Sequence, residues 1–107
     1  MIKTLFLSNL EIEELKSILR SNLFDEKVVI FGSRVNGCMH EHSDLDIAIK
    51  GKDKLTFERV SNLREAFENA SFSFRVDFLD YNRISREFQK IIDGTGLEFD
   101  YKNTTLR

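Results

Sequence analysis

Two short stretches decide the fold of this chain. Residues 28–33 read VVIFGS, and residues 44–49 read DLDIAI. Each contains an apolar run of strand length that is rich in β-branched residues. A glycine-serine pair closes the first run, and two aspartates spaced by one residue open the second. This arrangement predicts a phosphate-sized turn and a divalent-cation site at matching ends of two adjacent strands.

Helical and extended patterns flank these two strands. Three segments carry apolar residues at helical spacing: 9–22, 55–70 and 83–93. The first begins at a capping box made by Ser8 and Glu11, and Gly94 is the expected C-cap of the last. Alternation over 72–79 predicts a third strand. Residues 97–101 are compatible with a short extended tail segment or with disorder.

The predicted order is helix, strand, short turn or single helical turn, strand, helix, strand, helix. This order indicates an α/β (α+β) fold with a small three-stranded sheet flanked by helices, and we expect residues 1–107 to form a single domain. The connection between the first two strands has about twelve residues and no full helix, which is the lower limit for a crossover between parallel strands. We therefore expect these strands to be antiparallel and the sheet to be mixed.

Composition excludes several classes of protein. The 107 residues carry 16 basic and 18 acidic side chains, giving a net charge of -2, which lacks the strongly basic footprint of a general nucleic-acid binder. Cys38 is the single cysteine, so an intrachain disulfide is impossible and a reducing compartment is expected. No signal peptide or membrane-spanning run is evident in the sequence, and we expect a cytoplasmic protein.

The paired aspartates have the chemistry of a magnesium site. Asp44 and Asp46 leave the same face of their strand, with Cα atoms roughly 6.6 Å apart. Carboxylates this close repel unless a cation lies between them, and Mg²⁺ prefers such hard oxygen ligands. Asp77 follows an apolar strand and is the candidate third carboxylate. Three carboxylates would permit a site with two Mg²⁺ ions ~3.5–4 Å apart.

The glycine-serine turn is the candidate phosphate site. Gly32 lets the backbone approach a phosphate closely, and Ser33 offers its hydroxyl and amide. Arg34 supplies a positive charge that would stabilise the departing pyrophosphate.

Structural alternatives remain for several of these residues. Asp77 could be a buried ion-pair partner of Arg75 or Arg34, and Arg34 could form a surface salt bridge. Asp80 could replace Asp77 as a ligand, although a helix cap is favoured. A metal site made by Cys38, His40 and His42 is disfavoured, because these residues alternate over a polar loop without a fourth ligand.

These residues, together with the later strand that carries Asp77, resemble the motif of the polymerase-β-type nucleotidyltransferase superfamily. Within it, the chain resembles the minimal nucleotidyltransferases, the MNT family, over nearly its whole length. The resemblance implies transfer of a nucleoside monophosphate, usually AMP from ATP, to a hydroxyl with Mg²⁺. It places Asp44, Asp46 and Asp77 as metal ligands, and Gly32 and Ser33 as the phosphate-binding turn.

The resemblance also implies a partner. Family members commonly act as antitoxins beside a HEPN-domain toxin and modify a tyrosine of that protein. A chain of this length leaves no room for an acceptor-binding domain, so we expect a second polypeptide to present the hydroxyl in a hetero-oligomer. Two alternatives are a steric or nucleotide-binding regulatory subunit with weak catalysis, and an aminoglycoside-type transferase acting on a small molecule.

Overall fold

The structure, a computed structural model, describes residues 4–37, 40 and 42–102. The elements in this part of the chain are α1 (Asn9–Asn22), β1 (Lys27–Phe31), α2 (Ser33–Asn36), β2 (Leu45–Lys50), α3 (Phe57–Glu68), β3 (Val76–Asp80), α4 (Arg86–Thr95) and β4 (Leu97–Phe99). A 3-10 turn at Tyr81–Arg83 joins β3 to α4. None of these helices is long and apolar enough to cross a membrane.

The strands form one mixed sheet in the order β3-β2-β1-β4. β1 pairs antiparallel with both β2 and β4, whereas β2 and β3 are parallel. In the described residues of the link from β1 to β2, the single turn of α2 is the only helix, which is too short for a crossover, whereas α3 provides the crossover that parallel strands require. The prediction of a mixed α/β sheet flanked by helices is therefore confirmed.

The prediction of three strands is wrong, because the tail segment forms a fourth. Leu97 and Phe99 pair with Ile30 and Val28 across β1. Beyond this strand, the Tyr101 hydroxyl donates a 2.6 Å hydrogen bond to the carbonyl oxygen of Glu26. A three-residue strand is too short to show a hydrophobic period, so its pairing partner, and not its own pattern, determines its conformation.

Several predicted boundaries also need correction, among them those of α3, which spans Phe57–Glu68 and not residues 55–70. β3 begins at Val76, not at residue 72, because its pairing with β2 begins at Val76 opposite Leu45 and a bend occupies residues 73–74. α4 begins at Arg86 behind a Ser85 cap, since the 3-10 turn occupies the preceding residues. It also continues past Gly94 to a C-cap at Gly96. The predicted bounds of α1 and its capping box are confirmed.

Helices cover both faces of the sheet. The larger apolar cluster lies on the face covered by α1 and α3 and contains inward residues of β1 and β2 such as Val28, Ile30 and Ile47. A smaller cluster on the opposite face joins Val29 and Ala48 to Ile92 of α4. Since successive side chains of a strand point to opposite faces, burial on both faces explains the continuous apolar runs of β1 and β2.

Candidate active site at the start of β2

The strand register brings the predicted acidic residues to one place. Asp46 pairs with Phe31 of β1 on one side and with Asp77 of β3 on the other. Gly32 directly follows Phe31, and Asp44 lies two residues before Asp46. Phe31, Asp46 and Asp77 therefore lie side by side across three neighbouring strands, and the glycine turn begins directly after Phe31.

The three carboxylates also belong to the same face of the sheet. Ala48 of β2 and Leu79 of β3 belong to the apolar cluster on the α4 face. Because side chains alternate along a strand, Asp46 shares the face of Ala48, and Asp77 shares the face of Leu79. Asp44 continues the same alternation beyond the start of β2. We call Asp44, Asp46 and Asp77 the carboxylate triad.

The turn at Gly32 requires a glycine for two separate reasons. Its φ is +82°, a conformation that side-chain-bearing residues rarely adopt. A Cβ at this position would also lie 2.5 Å from Oδ2 of Asp46, far inside van der Waals contact. Ser33 then begins α2 and is half-buried beside this turn. The predicted phosphate-binding turn thus lies directly against one member of the carboxylate triad.

Arg75 bridges the other two members of the triad. Its Nη2 donates to Oδ2 of Asp44 at 3.2 Å and to Oδ2 of Asp77 at 3.0 Å. The two carboxylates raise the pKa of Arg75, Asp77 more than Asp44. The pairing of Asp77 with Arg75 that the sequence left open is therefore present, although at exposed side chains. The sequence alone does not predict the bridge to Asp44, because it follows from the parallel register, in which Asp44 and Arg75 directly precede the paired residues Leu45 and Val76.

Negative charge accumulates around Asp46. Burial is the main cause that raises the pKa of this carboxyl group above its ordinary value. The neighbouring carboxylates of Asp77 and Asp44 raise the pKa further, and Arg75 opposes them. A carboxyl group whose charged form is penalised in this way is stabilised by a nearby cation.

The triad has the ligand types of a magnesium site, but its side chains are not arranged to hold an ion as they stand. Within residues 4–37, 40 and 42–102, no three acidic, histidine or cysteine side chains are close enough together to hold a metal ion as they stand. Three carboxylates at the starts of the neighbouring strands β2 and β3 are nevertheless the hard oxygen donors that Mg²⁺ prefers. The donor set therefore fits the ion, and the guanidinium of Arg75 provides the positive charge between two of the carboxylates.

Arg34 has a position that differs from the predicted one. Its side chain is only 3% exposed and lies 4.0 Å from the ring centre of Phe74. It donates hydrogen bonds to the carbonyl oxygens of Ser43 and Phe6. The hypothesis that Arg34 binds phosphate does not agree with these contacts, because they direct the guanidinium inward. They indicate instead that Arg34 fixes the backbone just before Asp44.

Asp80, His40 and His42 form hydrogen bonds outside the carboxylate triad. Asp80 is buried, accepts hydrogen bonds from the backbone amides of Leu55 and Asn82, and caps the 3-10 turn. The preference for a capping role over a rival metal ligand agrees with these bonds. His40 accepts a bond from the amide of His42, and a ring nitrogen of His42 lies 3.3 Å from the carbonyl oxygen of Ser73. Cys38 lies outside the described residues.

Comparisons with known proteins identify the family of the chain. Residues 13–99 match the family described as "Polymerase beta, Nucleotidyltransferase". A curated relative from Haemophilus influenzae, described as "Probable protein adenylyltransferase MntA", is 39% identical over 96 residues, which cover 90% of this chain and 84% of the relative.

Solved structures share the fold. One, described as a crystal structure of a toxin-antitoxin with AMP-PNP, has a TM-score of 0.70 at 23% identity and covers 83% of this chain and 72% of that one. Another, of the toxin-antitoxin MntA-HepT, has a TM-score of 0.58 at 21% identity, with 87% and 72% covered. The family match, the curated relative and the geometry of the triad agree: the chain belongs to the polymerase-β-type nucleotidyltransferase family and is an MntA-like enzyme.

Proposed function

We propose that this enzyme transfers AMP from ATP, with Mg²⁺, to a tyrosine hydroxyl of a HEPN-domain toxin and thereby acts as its antitoxin. The observation that carries the proposal is the carboxylate triad on one sheet face with the Gly32 turn against Asp46. The curated relative is described as a probable protein adenylyltransferase, and two structural neighbours are described as toxin-antitoxin complexes. A hetero-oligomer with the toxin is part of this proposal.

The residues divide the chemistry between them. The turn at Gly32 and Ser33 receives the phosphates of ATP, because its backbone can approach them closely. Asp77, on the far side of Asp46, accepts the proton of the attacking hydroxyl. The new bond joins the hydroxyl oxygen to the α-phosphorus, while the bond from that phosphorus to the bridging oxygen breaks and pyrophosphate leaves. When bound to the triad, Mg²⁺ would supply the positive charge that offsets the developing negative charge.

Label transfer tests this proposal. The chain would be incubated with Mg²⁺, ATP labelled at the α-phosphate and the HEPN-domain protein encoded beside it. We expect the label on a tyrosine of that protein, and Asp44→Asn should reduce labelling by at least a hundredfold. Asp53→Asn changes an exposed aspartate outside the triad and should leave labelling unchanged.

The same experiment separates catalysis from a steric role. If Asp44→Asn neutralises the toxin as well as the unmodified chain does, the chain acts by binding alone and the proposed transfer is wrong. Absence of label on the partner, together with label on aminoglycoside-like alcohols, would instead identify a small-molecule transferase.

A further inference from the structure

A cavity of about 440 Å³ lies beside β3, next to the carboxylate triad. Phe67, on the last turn of α3, is a buried wall residue, and Phe72 and Phe78 are half-buried around it. Arg75 and Asp77 also line it, so the cavity is continuous with the candidate active site. Its volume falls within the range of ligand-binding pockets.

The order of the strands determines from which side of the site the acceptor approaches. Within the described part of the chain, β3 is the outer strand next to β2, so its second side has no sheet partner there. The Gly32 turn lies at β1, on the opposite side of Asp46. In-line transfer places the attacking oxygen and the leaving pyrophosphate on opposite sides of the α-phosphorus. With the phosphates of ATP at the Gly32 turn, the acceptor therefore approaches from the β3 side.

From these observations we propose that the hydroxyl-bearing segment of the acceptor protein binds in extended form along β3 and anchors an apolar side chain in this cavity. The inference rests on the proposed nucleotidyl transfer and specifies where its acceptor binds. Exposed outer strands pair readily with an added extended segment through backbone hydrogen bonds.

The two faces of β3 explain how one acceptor segment can both anchor an apolar side chain and present a hydroxyl to Asp77. Val76 and Phe78 belong to the apolar cluster on the α3 face, and Asp77 points to the other face. In a strand added beside β3, neighbouring side chains alternate in the same way. A residue on the α3 face would enter the cavity, and the tyrosine next to it would lie on the face of Asp77.

The rim of the cavity favours a peptide over a nucleotide. Arg64 and Arg75 contribute positive charge, whereas Glu68 and Asp77 contribute negative charge. Two positive and two negative side chains leave the rim without net charge, so it offers a triphosphate no net attraction. An apolar peptide segment does not depend on such attraction, and its backbone and polar flanks can satisfy charges of both signs.

Two blocked pentapeptides test the inference. In GFYFG the residues flanking the tyrosine are apolar, and in GSYSG they are polar. With Mg²⁺ and α-labelled ATP, we expect GFYFG to be labelled with a kcat/KM at least tenfold higher than that of GSYSG. With Mg·AMP-PNP in place of ATP, GFYFG should also slow amide hydrogen exchange across β3.

Substitutions of the residues that line the cavity test whether the preference for GFYFG over GSYSG depends on the cavity. Phe72→Ser should abolish the preference for GFYFG, and Ala70→Phe should do the same by filling the cavity, since Ala70 also lines it. Both should keep their affinity for Mg·AMP-PNP within twofold. Phe57→Ser provides the matched control, because Phe57 is 84% exposed at the other end of α3 and lies outside the cavity.

The possible failures can be told apart. Equal labelling of the two peptides by a chain that binds Mg·AMP-PNP would overturn this inference and leave the proposed transfer standing. The inference would also be overturned if Mg·AMP-PNP alone protected Ala70 and Phe72, the cavity residues outside the triad, because the nucleotide would then occupy the cavity. A chain that binds no nucleotide would refute the proposed function itself.

Discussion

At the scale of single residues, the site depends on the missing side chain of Gly32. Its backbone conformation excludes other residues, and its Cα lies against the carboxylate of Asp46. We expect Gly32→Ala to lower the free energy of unfolding by about 1–3 kcal/mol through backbone strain. It should also weaken binding of Mg·AMP-PNP at least tenfold, because the new Cβ displaces the Asp46 side chain. Thermal unfolding and calorimetry measure the two effects.

Gly37 supplies the control for this prediction. Its φ is +86°, nearly that of Gly32, but a Cβ there would meet only the ring of Phe6 at an ordinary 3.8 Å. Its ψ of -1° places Gly37 in the left-handed helical region, which alanine tolerates better than the ψ of -156° at Gly32. Gly37→Ala should therefore reduce stability by a smaller amount and leave nucleotide affinity unchanged. Equal loss of affinity in both variants would show that backbone strain alone, and not contact with Asp46, explains the effect.

At the scale of elements, two glycines near the end of α4 should respond oppositely to alanine. Gly96 lies between the end of α4 and the start of β4 and packs against β1. A Cβ at Gly96 would overlap Cγ1 of Val29 and the carbonyl oxygen of Ile92. Gly96→Ala should therefore destabilise the protein by about 1–3 kcal/mol through overpacking. At Gly94, inside the helix, the added Cβ would have no heavy atom of the described residues within 4 Å apart from its chain neighbours and the backbone of its own helix. Gly94→Ala should stabilise by about 0.5–1 kcal/mol. Denaturant unfolding measures both, and the same sign for both would contradict this packing.

An ion pair joins the start of β1 to α3. Arg59 donates to Glu26 at 2.5 Å, and the hydrogen bond is the main cause that lowers the pKa of Glu26 from 4.5 to about 2. Since the pKa is lower in the folded state, the pair stabilises the fold fully above pH 4.5 and loses this contribution as the pH falls toward 2. Glu26→Gln should lower the free energy of unfolding at pH 7 by roughly 1–3 kcal/mol and flatten its decline between pH 4.5 and 2.

A double-mutant cycle checks that this effect belongs to the pair. Arg59→Gln should reduce the same pH dependence, and the double variant should lose less stability than the sum of the single variants. Additive losses would place the stabilisation of Glu26 elsewhere, for example in its hydrogen bond from the Phe24 amide.

At the scale of the whole molecule, the elements that the sequence predicts are those with a strong local pattern of apolar or capping residues. The apolar runs of β1 and β2 and the capping box of α1 were sufficient for these elements, and the short β1–β2 link predicted an antiparallel pair. β4 depends on its partner strand, so its three residues carried no sufficient signal. In the site, strand alternation predicts that Asp44 and Asp46 share a face, whereas the place of Asp77 beside them depends on the pairing of β3 with β2. The inward direction of Arg34 depends on Phe74 and the carbonyl oxygens of distant residues, and no local pattern reports such contacts.

Ligand-linked stability tests the site through the unfolding of the entire chain. A ligand that binds only the folded state stabilises it by about 2.7 kcal/mol at a hundred times its Kd, which corresponds to a rise in Tm of roughly 10 °C for a chain of this size. We expect Mg·AMP-PNP to produce such a rise and EDTA to reduce it. Asp46→Asn should remove most of the rise, because the triad loses its central carboxylate. Arg34→Met should lower the Tm of the free protein but keep the nucleotide-dependent rise, since Arg34 supports the fold from inside. If Arg34→Met abolished the rise at unchanged initial stability, Arg34 would contact phosphate after all and its structural assignment here would be wrong.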